Sequence, residues 1–201
     1  MSRLCQLLDS FETISNDKII KILTLGTEVL NAKSGNIVID STYFRKKKAP
    51  VSGIDGVMSY IVRIAASMTE DGSVTIKHSV NVPVTAVCPC SKAISNFGAH
   101  NQRGMICVTL LGVDVCDYND IINIIEKNGA SCELYSILKR EDEKNVTETA
   151  YDNAKFVEDI VRDTVIGLRI RYPNQIDSIE SVNYESIHNH NAFALFSSEN
   201  I

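Results

Sequence analysis

The stretch VTIKHSVNVPVTAVCPC, residues 74–90, decides how the chain folds. Val74, Ile76, His78, Val80, Val82 and Val84 stand two apart, the period of a strand with one buried face. The apolar run stops at Cys88-Pro89-Cys90, and a polar segment containing His100 continues to Gly104. A half-buried strand needs pairing neighbours and a covering layer, and the flanking sequence offers both.

Upstream, Leu4, Leu7, Leu8, Phe11 and Ile14 recur at helical spacing. After Ser15-Asn16 the same spacing returns in Ile19, Ile20, Leu23 and Val29, and ends near Lys33-Ser34-Gly35. Strands are predicted over 36–44 and 57–66, and a Glu70-Asp71-Gly72 turn leads into the quoted strand. Downstream come a strand over 105–113, a helix over 119–127 closed by Asn128-Gly129, and a longer helix over 155–171. Strands over 177–184 and 192–197 finish the chain. The order ααββ, ββ, αα, ββ is that of two ββααββ units, the first lacking its opening strand pair. The expectation is an α+β protein of tandem modules, antiparallel sheets with helices packed on one face. Residues 1–70 would form a truncated first module, and residues 71–201 a second one carrying most of the site.

Composition narrows the function. With 201 residues, 44% hydrophobic and 22% charged, the chain can bury a real core. A net charge of −5 speaks against a general nucleic-acid binder but leaves room for a small anion held by a local basic cluster. No apolar run approaches ~18 residues, so no membrane span is expected. MSRLCQLLDSF has no signal-peptide pattern, and six irregularly spaced cysteines do not make a disulfide framework. Reduced thiols in a cytoplasmic protein are the expectation.

Four polar segments concentrate the chemistry: residues 43–53, the segment after Val87, residues 138–144 and residues 185–191. Three of the four histidines and two cysteines fall within them. Thiolate, imidazole and carboxylate are the ligands a borderline divalent metal takes, and three protein ligands leave a position open for catalysis. Cys88 and His100 stand too far apart for a zinc knuckle, so spacing alone leaves the alternative of a small buried cysteine and a surface histidine.

CPCSKAIS, GAHNQRG, LKREDEKNVTETAYDNAKFVEDIVRD, ESIHNHNAFA and YFRKKKAPVSG together resemble GTP cyclohydrolase type IB, a tunnelling-fold family, in the family's order and over essentially the whole chain. The resemblance implies paired tunnelling-fold modules and a hydrolase that opens the imidazole ring of GTP. Formate would be released and 7,8-dihydroneopterin triphosphate formed, the first step of folate and pterin biosynthesis. It implies one divalent metal per site, zinc, manganese or iron, held by Cys88, His100 and Glu143. It implies a homo-oligomer, a tetramer, with sites at subunit interfaces. His188 and His190 would be catalytic proton carriers, with Cys88 and Glu185 on the same site, and Glu158 would anchor the guanine edge. Arg45, Lys46, Lys47, Lys139 and Arg140 are the cations expected for the triphosphate, although a charge run is ordinarily a solvated face. Cys90 is a redox candidate beside Cys88, since a bridge between cysteines so close is strained and readily reduced. Family members usually carry a further N-terminal segment, and here Met1-Ser2-Arg3 falls on an internal Met-Ser-Arg of theirs. The alternatives are an archaeal-type enzyme with a cyclic-phosphate product, a tunnelling-fold nitrile reductase, or an inactive truncated partner subunit. The IHNHN and GAHNQRG motifs speak against the reductase.

Overall fold

In the computed structural model, which describes residues 2–9, 13–112 and 117–198, the strands form one seven-stranded antiparallel sheet. Phe11, Val113 and Cys116, and the side chains of Leu4 and Leu7, lie outside the described residues. The elements are α1 (Ser2–Asp9), α2 (Asn16–Leu30), β1 (Gly35–Lys48), β2 (Asp55–Met68), β3 (Val74–Val87), α3 (Pro89–Ile94) and β4 (Asn101–Leu111). They continue with α4 (Tyr118–Asn128), β5 (Cys132–Glu133), α5 (Arg140–Asp152), α6 (Val157–Arg171), β6 (Ile176–Asn183) and β7 (Ala192–Ser197). The strand order is β1-β2-β3-β4-β6-β7, with the short β5 paired to β3. The expected elements occur in the expected order, with α3, β5 and α5 added between them, and helices cover one face of the sheet.

The alternation in β3 does what its spacing requires. Val80, Val82, Val84 and Ala86 are buried with Ile106, Val108 and Leu110 of β4 and Ile179 of β6. Ile121, Ile122 and Ile125 of α4 and Ile160, Val161, Val165 and Leu168 of α6 close over them. Each such side chain contributes about 1.5–3 kcal/mol relative to exposure. A smaller cluster, Ile19 and Leu23 with Ala66 and Ile76, seats α2 on the other end of the same face. His78 lies between the two clusters, 3% exposed, with Nδ1 3.0 Å from the Tyr118 hydroxyl and Nε2 3.0 Å from Asn16 Oδ1. Burial holds its pKa below the usual imidazole value.

Several elements differ from the expectation for tertiary reasons. β1 runs on to Lys48 because its whole length pairs with β2, from Gly35 opposite Met68 to Lys48 opposite Asp55. Arg45 to Lys48 are therefore strand residues, alternately turned in and out. β4 begins at Asn101 rather than Met105, paired to Val87. The acidic-basic run from Arg140 is a helix, α5, held down by Asp142. That carboxylate is buried and accepts hydrogen bonds from the backbone N–H of Val51 (2.9 Å), Ser52 (2.8 Å) and Lys139 (2.9 Å) and from the Ser52 hydroxyl (2.6 Å). It fixes the 49–54 turn, where Gly53 takes a φ of 67° that favours glycine. β2 and β3 pair with each other, so one sheet runs through both stretches, residues 1–70 and 71–201.

Candidate active site

Register brings Cys88 and His100 together. Val87 is paired with Asn101, and one step further the Cys88 N–H donates to the His100 carbonyl at 3.2 Å. The two residues, far apart for a metal knuckle in sequence, are thus direct cross-strand neighbours, whose Cβ atoms stand about 5 Å apart. Ser91 pins the corner. Its hydroxyl donates to the Cys88 carbonyl at 3.1 Å and accepts the His100 N–H at 3.1 Å, while its own N–H points to Cys88 Sγ at 3.5 Å.

From this corner a polar chain crosses to the end of β6. His100 Nδ1 lies 2.9 Å from Gln102 Oε1, and Gln102 Nε2 lies 3.5 Å from Glu185 Oε1. The shortest His100–Glu185 separation is 3.9 Å. His188 presents its ring edge-on to His100, centroids 6.4 Å apart, and stacks on His190 at 5.2 Å. Both of these imidazoles are exposed. A cleft of about 190 Å³ opens beside the chain, lined by Cys88, Gln102, Glu158, Asn183 and Glu185. Glu158 reaches it because α6 starts at Val157, where Lys155 is tethered by its N–H to the Val87 carbonyl at 3.1 Å. Asn183, 3% exposed, leaves its Oδ1 without a hydrogen-bond partner among the described residues. It packs against Gly104, where a Cβ would come within 3.0 Å of that oxygen.

The other expected residues stand elsewhere. Glu143 is exposed on α5, whose Val146 and Ala150 pack by Val87 and Ala99, the chain neighbours of Cys88 and His100. Among the described residues no three histidine, cysteine or acidic side chains are arranged to hold a metal ion. Cys88 and His100 fit as adjacent sulfur and nitrogen donors, and Glu143 is not brought to them within the chain. Lys139 and Arg140 are exposed at the start of α5, and Lys46 and Lys48 are exposed on the outer side of β1. Cys90 is an exposed free thiol on α3.

Arg45 and Lys47 point inward to a different cluster. Lys47 Nζ lies 2.9 Å from Glu126 and is also ion-paired with Glu133, and Arg45 Nη1 lies 3.6 Å from Glu126. The Tyr60 hydroxyl donates to Glu126 and the Tyr135 hydroxyl to Glu133, both at 2.9 Å. Burial, reinforced by the neighbouring carboxylates, pushes both phenols up. Burial also raises Glu126, whereas Lys47 outweighs burial at Glu133 and lowers it.

Gln102, Asn183 and this inward cluster are what sequence reasoning missed. Gln102 had a signal. It stands two residues from His100, so a strand starting at Asn101 rather than Met105 puts both on one face. The partners of Lys47 had none, lying 79 residues away for Glu126.

A thiol, imidazoles and carboxylates converging on a cleft at the end of an antiparallel sheet are the equipment of an enzyme. The family is given by comparison: the chain belongs to the type I GTP cyclohydrolase folE2 family, whose model matches residues 1–194. It is 47% identical over 196 residues to the GTP cyclohydrolase FolE2 of Methylobacillus flagellatus, covering 97% of this chain and 73% of that relative. It is 45% identical over 198 residues to the protein of the same name from Aromatoleum aromaticum, covering 97% and 72%.

Proposed function

We propose that the chain hydrolyses GTP, opening the imidazole ring to release formate and 7,8-dihydroneopterin triphosphate for folate biosynthesis. The observation that carries this reading is the Cys88–His100 cross-strand pair, whose Cys88 lines a cleft together with Glu158. Two or three hydrogen-bond donors on the edge of guanine match a carboxylate, which accepts only, so Glu158 would orient the base. His188 and His190, exposed beside His100, would carry protons to and from the opening ring. Cys88, His100 and Glu143 would hold a divalent ion, zinc, manganese or iron. When bound it would act as a Lewis acid and activate water near neutral pH. Lys47 is paired with Glu126 and Glu133, which leaves Lys46, Lys48, Lys139 and Arg140 as the more open cations for the triphosphate beside Arg45.

Self-association would complete this site, and exposed apolar side chains support it. Ile94 and Phe97, 85% and 99% exposed, flank the ladder end that carries His100, and the edge strands β1 and β7 expose Val38, Phe44, Phe193 and Leu195. A second copy could cover them and supply Glu143 to its neighbour's pair. The element order β3-β4-α4-α6-β6-β7 also supports a complete ββααββ unit, extended by α2, β1 and β2.

The test is to incubate metal-stripped protein with GTP and added zinc, manganese or iron, and to weigh the products. Formate and a linear triphosphate are expected only with metal. Cys88→Ala should stay folded and lose both metal and turnover. Undiminished turnover in rigorously metal-free protein would overturn the metal assignment, and a cyclic-phosphate product mass would overturn the product.

A further inference from the structure

We infer that Gln102 is a positioning residue that fixes the tautomer of His100, so that His100 offers its Nε2 lone pair as the ligating atom. The step from tautomer to ligation rests on the metal site proposed above.

A carboxylate accepts hydrogen bonds and cannot donate. Gln102 Nε2, 3.5 Å from Glu185 Oε1, is therefore the amide end that belongs there. That choice turns Oε1 toward His100, 2.9 Å from Nδ1. Oε1 also only accepts, so Nδ1 must carry the proton, and the neutral ring is left with its lone pair on Nε2. Glu185 cannot do this alone, because its nearest approach to His100 Nδ1 is 3.9 Å, beyond hydrogen-bond range. The amide bridges the gap and relays the carboxylate's demand for a proton.

The surroundings hold the bridge in place. Gln102 is 8% exposed and paired in the ladder opposite Ala86, which is itself fully buried. The His100 and Glu185 side chains are 13% and 11% exposed, so water competes weakly for the bonds. The His100 backbone is clamped by Ser91 and by Cys88, which fixes the point from which the ring reaches Gln102. A histidine whose second nitrogen donates to such a partner is a better metal ligand, by ~10–100-fold in affinity.

The experiment is long-range ¹H–¹⁵N correlation on metal-free protein with ¹⁵N-labelled histidine at neutral pH, with the His100 signals assigned by their loss in His100→Asn. A protonated Nδ1 and an unprotonated Nε2 are expected. The opposite tautomer in the wild type would overturn the inference without any Gln102 variant having to fold. In Gln102→Met, of similar size but without polar atoms, the preference should disappear. Zinc affinity measured against a chromophoric chelator should fall ~10–100-fold at unchanged melting temperature. A Gln102→Met protein with wild-type tautomer or wild-type zinc affinity would also overturn it. If the wild type shows the expected tautomer yet binds no zinc, the relay stands and the metal site fails.

Discussion

Two polar clusters flank the core of this molecule, and they are built on opposite plans. Around Glu126 the charges cancel inside the fold: Arg45 and Lys47 face Glu126 and Glu133, and two tyrosine hydroxyls take up further acceptor positions. At the end of β3 and β4 the groups are left open. Cys88 Sγ has one long N–H contact, Asn183 Oδ1 has no hydrogen-bond partner among the described residues, and Glu158 lines a cleft. Where carboxylates are already met by cations and phenols, little beyond the buried Arg45 Nη1, which has no hydrogen-bond partner among the described residues, is left for a ligand, and the cluster chiefly specifies the fold. A cluster that opens on a cleft, kept in place by its backbone, is where binding energy remains available. The densest run of positive charge in the sequence contributes to the first kind, and the function is read in the second.

Breaking the charge-paired cluster should produce the largest effect. Lys47→Met leaves Glu126 buried with only the 3.6 Å Arg45 contact and the Tyr60 hydroxyl, and should destabilise the fold by ~3–5 kcal/mol. Denaturant unfolding measures it, and Cys88-dependent metal binding should survive in the folded fraction. Wild-type stability combined with weakened GTP binding would reverse the comparison and make Lys47 a phosphate ligand.

The open cluster should respond the other way. Glu158→Gln keeps the shape but presents guanine with a donor where an acceptor is needed. A loss of ~2–4 kcal/mol in kcat/KM is expected, with unchanged melting temperature and metal content. Unaltered kcat/KM would remove Glu158 from the site.

The smallest effect is a pH dependence of stability that bypasses both clusters. His78 and Asp142 both have folded pKa values below their unfolded ones, through burial for His78. At Asp142 burial acts the other way and is outweighed by hydrogen bonds from Ser52, Lys139 and Val51. The unfolded chain therefore binds more protons, so their stabilisation is complete above the unfolded pKa and lost on acidification. Melting temperature should fall first below about pH 6.5, where unfolded histidine protonates, and again below about pH 4 as Asp142 follows. His78→Phe should flatten the first step, and an unchanged profile in that variant would exclude His78 as its source.

Much of this architecture could be read from residue patterns. Val80, Val82 and Val84 announce a half-buried strand, Asn128-Gly129 closes α4, and the ESIHNHNAFA and CPCSKAIS motifs mark the site segments. Less could be read at Arg140 to Lys144, where the pattern of alternating charge looks like a solvated face. Asp142 turns inward there because the backbone N–H groups of Val51 and Ser52, some ninety residues earlier, need an acceptor.

By itself the sequence determined the long strands, α2, α4 and α6, their order and which faces are apolar, because period-2 and helical spacing are local properties of the chain; α3, β5 and α5 were not legible in it. Tertiary structure alone decided which polar residues meet. Cys88 becomes the neighbour of His100 through the β3–β4 register, Gln102 joins His100 to Glu185, and Lys47 finds Glu126. A hydrogen bond or ion pair depends on positions within a few tenths of an ångström, and between residues distant in sequence those positions exist only once the sheet has closed its register.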